Sequence, residues 1–273
     1  MLGTYTKRST NDVYDTSEGA LPFRLQRIAE EDLGETPTRR KESLEMLAKL
    51  ISEEPELDAR RDAEFLLRFL RVRKYNVEAA MQTIRNYYYN RCACDSVYRE
   101  YLPSAVPPFA RKLAMVLPGK DRHGRPVFLC NIGAWNPKEV TQAVFQRACL
   151  MCLDFMTSDP SAQTVGMVLI MDCQLFAVEN ALSFKPGLIK RGIEYLQFKF
   201  HGENFESLHE EISPEQLPAQ FGGQAPPLDY DTFWSKMDEL EDAFEADNRY
   251  GYSKKNIGDF ATQEEVEEAL EFL

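Results

Sequence analysis

The nine residues VGMVLIMDC, at positions 165–173, decide the fold class because they form the clearest strand pattern in the chain. The run is apolar from Val165 to Met171, as expected for a strand covered on both faces of a sheet. A second run of this kind, VFLCNI at 127–132, follows the turn sequence DRHGRP. Both runs therefore predict buried strands of one sheet.

Helical patterns lie between the predicted strands. Asn136 is the expected N-cap of a helix that continues to about Met156, with Pro137 at its first position. A second helical pattern at 186–197 leads into FKFHG at 198–202, which alternates like a strand. This β-α-β-α-β series predicts an α/β fold with a mainly parallel (mixed) sheet flanked by helices.

A small helical module precedes the sheet. Thr38 is the expected N-cap of its first helix, a second helix is expected over 57–74, and Asn76 is expected to cap a third. The polar residues 1–37 show no sustained period and predict a flexible segment. The predicted division is therefore 1–37 flexible, 38–100 helical module, 101–223 sheet domain and 224–273 acidic tail.

Composition places the chain among globular proteins. Its 273 residues are 44% hydrophobic, without an apolar run long enough to span a membrane or to serve as a signal peptide, which favours the cytosol. The net charge is −12, and residues 224–273 alone hold 14 Asp or Glu against 4 Lys or Arg. The nearly neutral remainder argues against nucleic acid as a partner.

Catalytic signatures are absent from the sequence. We find no nucleophile elbow, zinc-protease motif, Walker loop or dinucleotide motif, and the three histidines lack zinc-ligand spacing. Cys149 and Cys152 have the spacing of a redox pair, but they lie inside an apolar helix pattern, which favours core packing. Asp172 is expected to cap a turn. The sequence predicts a protein without catalytic residues, cofactor or metal.

Two features allow both a binding role and a structural role. Met167, Leu169 and Met171 share one face of the predicted strand, where they line a lipid pocket or form ordinary sheet core. Arg68, Arg71, Arg73 and Lys74 cluster at the end of the second helix. This basic cluster has two possible roles. One is binding of an anionic headgroup, and the other is pairing with neighbouring carboxylates and with the C-terminus of the helix.

Several ordered motifs resemble the CRAL-TRIO family. They are the run DAEFLLRFLRVRKYNVEAAMQTIRNYYYNR, the segment DRHGRPVFLCNIGAWNPK, the strand VGMVLIMDC and the segment HGENFESLHEEISPEQLPAQFGG. The resemblance extends over about residues 44–223, and it is greatest to the branch containing the alpha-tocopherol transfer protein, the retinaldehyde-binding protein and the clavesins. It implies a helical module, a lipid cavity over a mixed sheet, and carriage of a hydrophobic ligand, with no catalytic role.

The junction between Gln197 and Phe198 departs from this family pattern. A helical pattern meets a strand pattern there without Gly, Asn or Pro to form a turn. Family members carry a few dozen further residues at this point, comprising a strand, a connection and the lid helix of the cavity. The sequence therefore predicts an internal deletion that removes one strand and the lid.

The resemblance also implies a function and its residues. The expected function is binding and intracellular transfer of a tocopherol-, retinoid- or phospholipid-like ligand, coupled to phosphoinositide binding at endosomal or other intracellular membranes. The alternative is a shortened form that binds no lipid and recruits a vesicle-coat protein through its acidic tail. The expected cavity residues are Phe145, Cys149, Leu153, Met167, Leu169, Met171, Tyr195 and Leu196, and the expected headgroup residues are Arg68, Arg71 and Arg73.

Overall fold

A computed structural model describes residues 21–178, 180, 199–202 and 204–252 of the chain. The helices of these residues are α1 (Phe23–Ile28), α2 (Pro37–Ser52), α3 (Ala63–Val72), α4 (Val77–Ala93), α5 (Asp95–Tyr98), α6 (Pro108–Arg111), α7 (Gln142–Thr157), α8 (Pro160–Val165), α9 (Glu206–Glu211), α10 (Tyr230–Asp238) and α11 (Glu241–Asp247). The strands are β1 (Leu57–Asp58), β2 (Ala114–Lys120), β3 (Pro126–Cys130), β4 (Val168–Met171) and β5 (Gly251–Tyr252).

The main sheet has the order β2-β3-β4 and is mixed. The strands β2 and β3 are antiparallel, with Ala114 opposite Cys130, whereas β3 and β4 are parallel, with Cys130 beside Met171. The predicted α/β class is confirmed, but the described part of the sheet is not mainly parallel. The sequence analysis missed β2, because Pro118 and Gly119 interrupt its apolar pattern.

The turn between β2 and β3 explains why this pair is antiparallel. The carboxylate of Asp121 accepts hydrogen bonds from the backbone N–H groups of His123 (2.9 Å) and Arg125 (2.7 Å). Gly124 has a φ of +83°, a conformation that side chains with a Cβ rarely adopt. The predicted turn DRHGRP is therefore a tight hairpin turn, which joins neighbouring antiparallel strands.

Strand β4 is shorter than the run VGMVLIMDC from which it was predicted. Val165 ends helix α8 instead of starting a strand, and Gly166, at a φ of +83°, turns the chain into β4. The sequence analysis missed α8 because Pro160 and Ser161 gave no periodic pattern. The expected strand FKFHG is also wrong in its described part, since residues 199–202 form no strand. Phe198 lies outside the described residues, as does the predicted helix at 186–197.

Helix α7 starts later than the sequence analysis expected. Asn136 holds a turn, in which its side-chain oxygen accepts the Lys138 N–H at 3.0 Å. The N-cap of α7 is Thr141, whose hydroxyl accepts the Val144 N–H at 3.4 Å. Asn and Thr side chains form such local bonds in turns and in caps alike, so the residue type alone misplaced the helix start.

The helical module contains α2, α3 and α4 around its own apolar core. The N-cap of α2 is Thr36, two residues before the expected Thr38, because Pro37 occupies the first helical position. The expected helix at 57–74 is shorter, since Leu57 and Asp58 form β1 and Asp62 caps α3. Asn76 caps α4 as predicted, with its side-chain oxygen 2.9 Å from the Ala79 nitrogen.

The segment predicted to be flexible is folded from Leu21 onward. Leu21 and Ala29 are buried, and α1 continues into a π-helical turn, Ala29–Leu33, that ends at Gly34. The prediction failed because these apolar contacts are made with distant parts of the chain, α8 among them, and leave no periodic pattern in sequence.

The first half of the predicted acidic tail is part of the core. Helices α10 and α11 bury the side chains of Phe233, Trp234, Met237 and Phe244 in the cluster that contains the main sheet. The Trp234 indole donates hydrogen bonds to the backbone oxygens of Arg111 (2.7 Å) and Ala114 (3.0 Å). Strand β5 then pairs with β1 of the helical module. The acidic residues of 224–252 therefore lie on folded elements, and residues 253–273 lie outside the described part.

Candidate ligand-binding surface

One face of β4 exposes apolar side chains to solvent. Met167, Leu169 and Met171 retain 38%, 36% and 43% of their accessible surface, whereas Ile170 between them is buried. This alternation follows from the pleat, which points successive side chains to opposite faces of the sheet. We refer to the surface formed by Met167, Leu169 and Met171 as the β4 face.

The position of β4 explains this exposure. Among the described strands, β4 lies at the edge of the sheet and is hydrogen-bonded only to β3. In parallel pairs, side chains of register partners project to the same side, so Leu169 lies beside Phe128 and Met171 beside Cys130. Phe128 and Cys130 are buried. The apolar layer therefore continues from the buried core outward onto the β4 face.

Helix α7 borders this layer. The Cys149 thiol lies within hydrogen-bonding reach of Cys130, the register partner of Met171. Cys149 and Leu153 are half-buried and lie one turn apart on α7. Helix α7 packs against β2 and β3, so both of these predicted cavity residues lie against the apolar core that continues onto the β4 face.

Phe145 is not available to a ligand. Its ring is buried and stacks on Trp135, with ring centroids 5.1 Å apart and an interplanar angle of 13°. Its assignment to the cavity is corrected, because core packing uses its surface. The other two predicted cavity residues, Tyr195 and Leu196, lie outside the described residues.

The two cysteines of α7 belong to the apolar layer. Donation of the Cys149 S–H towards Cys130, together with burial, raises the pKa of the Cys149 thiol well above its usual range, and burial does the same for Cys152. A raised pKa keeps a thiol protonated and unreactive at neutral pH. These thiols therefore behave as small apolar side chains, in agreement with the core packing that the sequence favoured.

The chain after β4 extends the exposed apolar surface. Asp172 holds the turn, since its carboxylate accepts the Gln174 N–H at 3.0 Å, as predicted. Beyond this turn, Leu175, Phe176 and Val178 are exposed, Leu175 at 84%. Sequence analysis missed these three residues, although the apolar run LFAV at 175–178 signals them. Seven large apolar side chains of the described residues between 167 and 200 are exposed, Phe200 included.

Arg71 is a structural residue, which corrects its assignment to a headgroup site. Only 1% of its surface is exposed, and its guanidinium donates to both carboxylate oxygens of Glu35, at 2.8 and 2.9 Å. A third hydrogen bond, at 2.7 Å, reaches the Gln163 side-chain oxygen on α8. An arginine binds a phosphate through the same pair of parallel N–H donors. In this protein both donors are already bonded to Glu35.

The other two predicted headgroup residues differ in exposure. Arg68 is half-buried and donates to the Ser158 hydroxyl at 3.1 Å, with its guanidinium over the Phe65 ring. Arg73 is exposed beside the exposed Lys74, and it donates to the Thr83 hydroxyl at 2.8 Å. The end of α3 therefore offers a positive surface to solvent through Arg73 and Lys74.

Comparison with known proteins finds similarity in the region of these elements. The model of the CRAL/TRIO domain matches residues 110–200, which include β2, β3, α7 and β4. This part of the chain is therefore similar to the CRAL/TRIO domain. The match covers the β4 face and α7 and ends at Phe200.

Relatives extend the similarity beyond this domain. The chain is 26% identical to Clavesin-2 of Mus musculus over 281 residues, which cover 88% of this chain and 85% of that protein. It is 26% identical to Clavesin-1 of Xenopus laevis over 268 residues, which cover 83% of this chain and 80% of that protein. It is 27% identical to Clavesin-2 of Homo sapiens over 274 residues, which cover 85% of this chain and 83% of that protein. The similarity thus includes the helical module and the elements that follow the sheet.

None of the helices in the described part of the chain has the length and apolarity that crossing a bilayer requires. Within the same part of the chain, His, Cys, Asp and Glu form no group of three or more that could hold a metal ion.

Proposed function

We propose that this protein binds a hydrophobic lipid on the β4 face and carries it between intracellular membranes. The observation that carries the proposal is the exposed row Met167, Leu169 and Met171 within the region similar to the CRAL/TRIO domain. Water-soluble proteins seldom expose apolar side chains side by side unless a ligand, a partner or a membrane covers them. Flexible thioether side chains also adapt to ligands of different shapes.

The depth of the apolar layer favours a lipid over a small polar ligand. The β4 face is continuous with Phe128 and Cys130 in the core, and Cys149 and Leu153 of α7 border it. A chain of methylene groups lying across it removes apolar surface from water on both partners, at about 25 cal/mol per Å². Tocopherol-, retinoid- and phospholipid-like ligands all offer such a chain.

Mass spectrometry of lipids that co-purify with the chain tests this proposal, together with two substitutions. Leu169→Glu places a carboxylate in the centre of the β4 face and should remove the bound lipid. Met46→Glu is the matched control, because Met46 is exposed at 51% on α2, in the helical module. Equal lipid loading of the two variants would contradict the proposal. The alternative function, an interaction protein that recruits a vesicle-coat partner, predicts no lipid even on the parent chain.

We further propose that Arg73 and Lys74 contact phosphoinositide headgroups, while Arg68 supports the end of α3 through Ser158. Exposed cations near an anionic membrane attract it with a strength that falls as salt rises. The double substitution Arg73→Glu and Lys74→Glu should weaken binding to vesicles containing phosphatidylinositol bisphosphate severalfold at low salt. Lys236→Glu on α10, also exposed, is the control, and an equal loss in that variant would exclude a specific headgroup site.

A further inference from the structure

The helical module and the sheet domain have separate apolar cores. The first core is formed by α2, α3 and α4, and the second by the main sheet with α7, α10 and α11, so the sheet domain here includes α10 and α11. Polar contacts join the two parts. Four arginines of the module donate hydrogen bonds to side chains of the sheet domain, namely Arg60 to Asp247, Arg68 to Ser158, Arg71 to Gln163 and Arg91 to Asn248. We refer to these four contacts as the seam.

A polar seam permits relative movement. Parts of one chain move against each other unless a large apolar interface holds them together. Arg91 lies at the end of α4, 3.7 Å from the Asp154 carboxylate of α7, and its guanidinium lies 4.9 and 4.8 Å from the ring centroids of Tyr98 and Tyr101. Tyr98 ends α5, the helix that connects α4 to the sheet domain. Arg91 therefore anchors this connection, and the end of α4 is where a hinge is expected.

One segment of the described chain crosses the seam by strand pairing. It begins at the end of α11, where Phe244 is buried in the core of the sheet domain. It ends at β5, which pairs antiparallel with β1 of the module, with Tyr252 opposite Leu57. The side chain of Tyr252 packs against the core of the module. Residues 247–252 thus reach from one core to the other.

Side chains fix this segment on both sides of the seam. The Asp247 carboxylate accepts two hydrogen bonds from Arg60, at 2.8 and 3.2 Å, and the Asn248 amide donates to the Tyr101 backbone oxygen at 3.0 Å. The Tyr252 hydroxyl donates to the Glu54 carboxylate at 2.9 Å. These bonds oppose any rotation of the module away from α11.

The same segment can detach without unfolding either core. Strand β5 has only two residues, Gly251 and Tyr252, and both are half-buried. We propose that residues 247–252 form a strap that locks a hinge between the helical module and the sheet domain, and that release of the strap lets the module turn about the end of α4. The inference goes beyond the proposed function and does not depend on it, because no lipid enters the argument.

Gly251 offers a way to release the strap without changing a side chain of the seam. Its φ is +139°, which residues with a Cβ rarely adopt, and an added Cβ would meet only Tyr88, at an ordinary contact distance of 3.8 Å. Gly251→Val should therefore break the pairing with β1 through the backbone alone. Gly202→Val is the matched control, because Gly202 also has a positive φ, +56°, with open space around it, but lies outside the seam.

Single-molecule energy transfer between fluorophores at positions 46 and 236 measures the distance between the two parts. Met46 on α2 and Lys236 on α10 are exposed, and both are replaced by an unnatural amino acid that is labelled without using the cysteines. The parent chain and Gly202→Val should give one narrow distance distribution. Gly251→Val should add a second population at a different distance while the circular dichroism of the helices stays unchanged.

Asp247→Asn provides a second way to weaken the strap, because it keeps the shape of the side chain and removes its charge from Arg60. This variant should add the same second population to a smaller extent. The inference fails if neither strap variant changes the distance distribution, if Gly202→Val changes it as much as Gly251→Val, or if Gly251→Val unfolds the chain, since the segment would then be part of a core.

Discussion

At the scale of single residues, burial decides what an arginine does. Arg71 and Arg73 lie two positions apart at the end of α3, yet one is buried against Glu35 and the other is exposed. The amphipathic pattern predicted the helix but not these two roles. Glu35 reaches Arg71 from a segment 36 residues earlier, and such long-range pairing leaves no periodic signal in the sequence.

Substitution of Arg71 should therefore reduce stability. Arg71→Ala removes one partner of a buried ion pair and leaves the Glu35 carboxylate, 7% exposed, without its guanidinium. Breaking such a pair costs about 3–5 kcal/mol, measured as the free energy of unfolding in urea. Arg73→Ala is the control and should change this free energy by less than about 0.5 kcal/mol. Similar losses in the two variants would show that the Glu35 pair contributes little.

At the scale of elements, periodic apolar patterns predicted strand faces correctly, whereas the predicted helix N-caps were correct for some helices and wrong for others. The alternation of Met167, Leu169 and Met171 placed them on one face, and Asn76 was correctly taken as the N-cap of α4. The starts of α2 and α7 were misplaced, because several capping residues occur close together in each region. Strand β2 was missed because it contains Pro118 and Gly119.

Helix α3 depends on a cap whose contribution varies with pH. The Asp62 carboxylate accepts the Phe65 N–H at 3.0 Å and pairs with Arg60 at 2.8 Å. Burial raises the pKa of Asp62, but the hydrogen bond and charge of Arg60 and the Phe65 N–H together lower it below 3.8. The stabilisation is therefore complete at pH values above 3.8 and is lost as the pH falls through the lower folded-state pKa.

Replacement of this cap should have a pH-dependent cost. Asp62→Ala should lower the free energy of unfolding by about 1–2 kcal/mol at pH 7, and the difference from the parent chain should shrink as the pH approaches 3. Urea titrations at several pH values measure this difference. Asp58→Ala serves as the control, since Asp58 is exposed in β1. A difference that stays constant from pH 7 to pH 3 would contradict the role of the ionised carboxylate.

At the scale of the whole molecule, the chain is shorter than its relatives where they align. The alignment with mouse Clavesin-2 spans 281 residues, but 88% of the 273 residues of this chain is only about 240. About forty aligned positions therefore have no residue in this chain. The alignment does not say which elements these positions form, so the deletion of a strand and a lid stays a prediction. Its position at Gln197 and Phe198, outside the described residues, stays a prediction.

Restoring the absent segment should cover the exposed apolar surface. We expect that inserting the unmatched residues of human Clavesin-2 after Gln197 raises the melting temperature and lowers the fluorescence of a dye that binds exposed apolar surface, because the insert buries the β4 face. An insert of equal length made of Gly and Ser is the control. If the two inserts give the same melting temperature and dye signal, the deletion hypothesis is wrong.

The central claim, that the β4 face holds the lipid, is tested most directly by photocrosslinking. A lipid carrying a diazirine on its hydrocarbon chain is bound to the purified protein and irradiated, and the modified peptides are identified by mass spectrometry. We predict crosslinks at residues 167–171 on β4 and at 149–153 on α7, competed by an excess of the unlabelled lipid. Crosslinks confined to the exposed apolar residues Phe23, Met46 and Val72 of the N-terminal helices, or crosslinks that the excess lipid does not reduce, would contradict the claim.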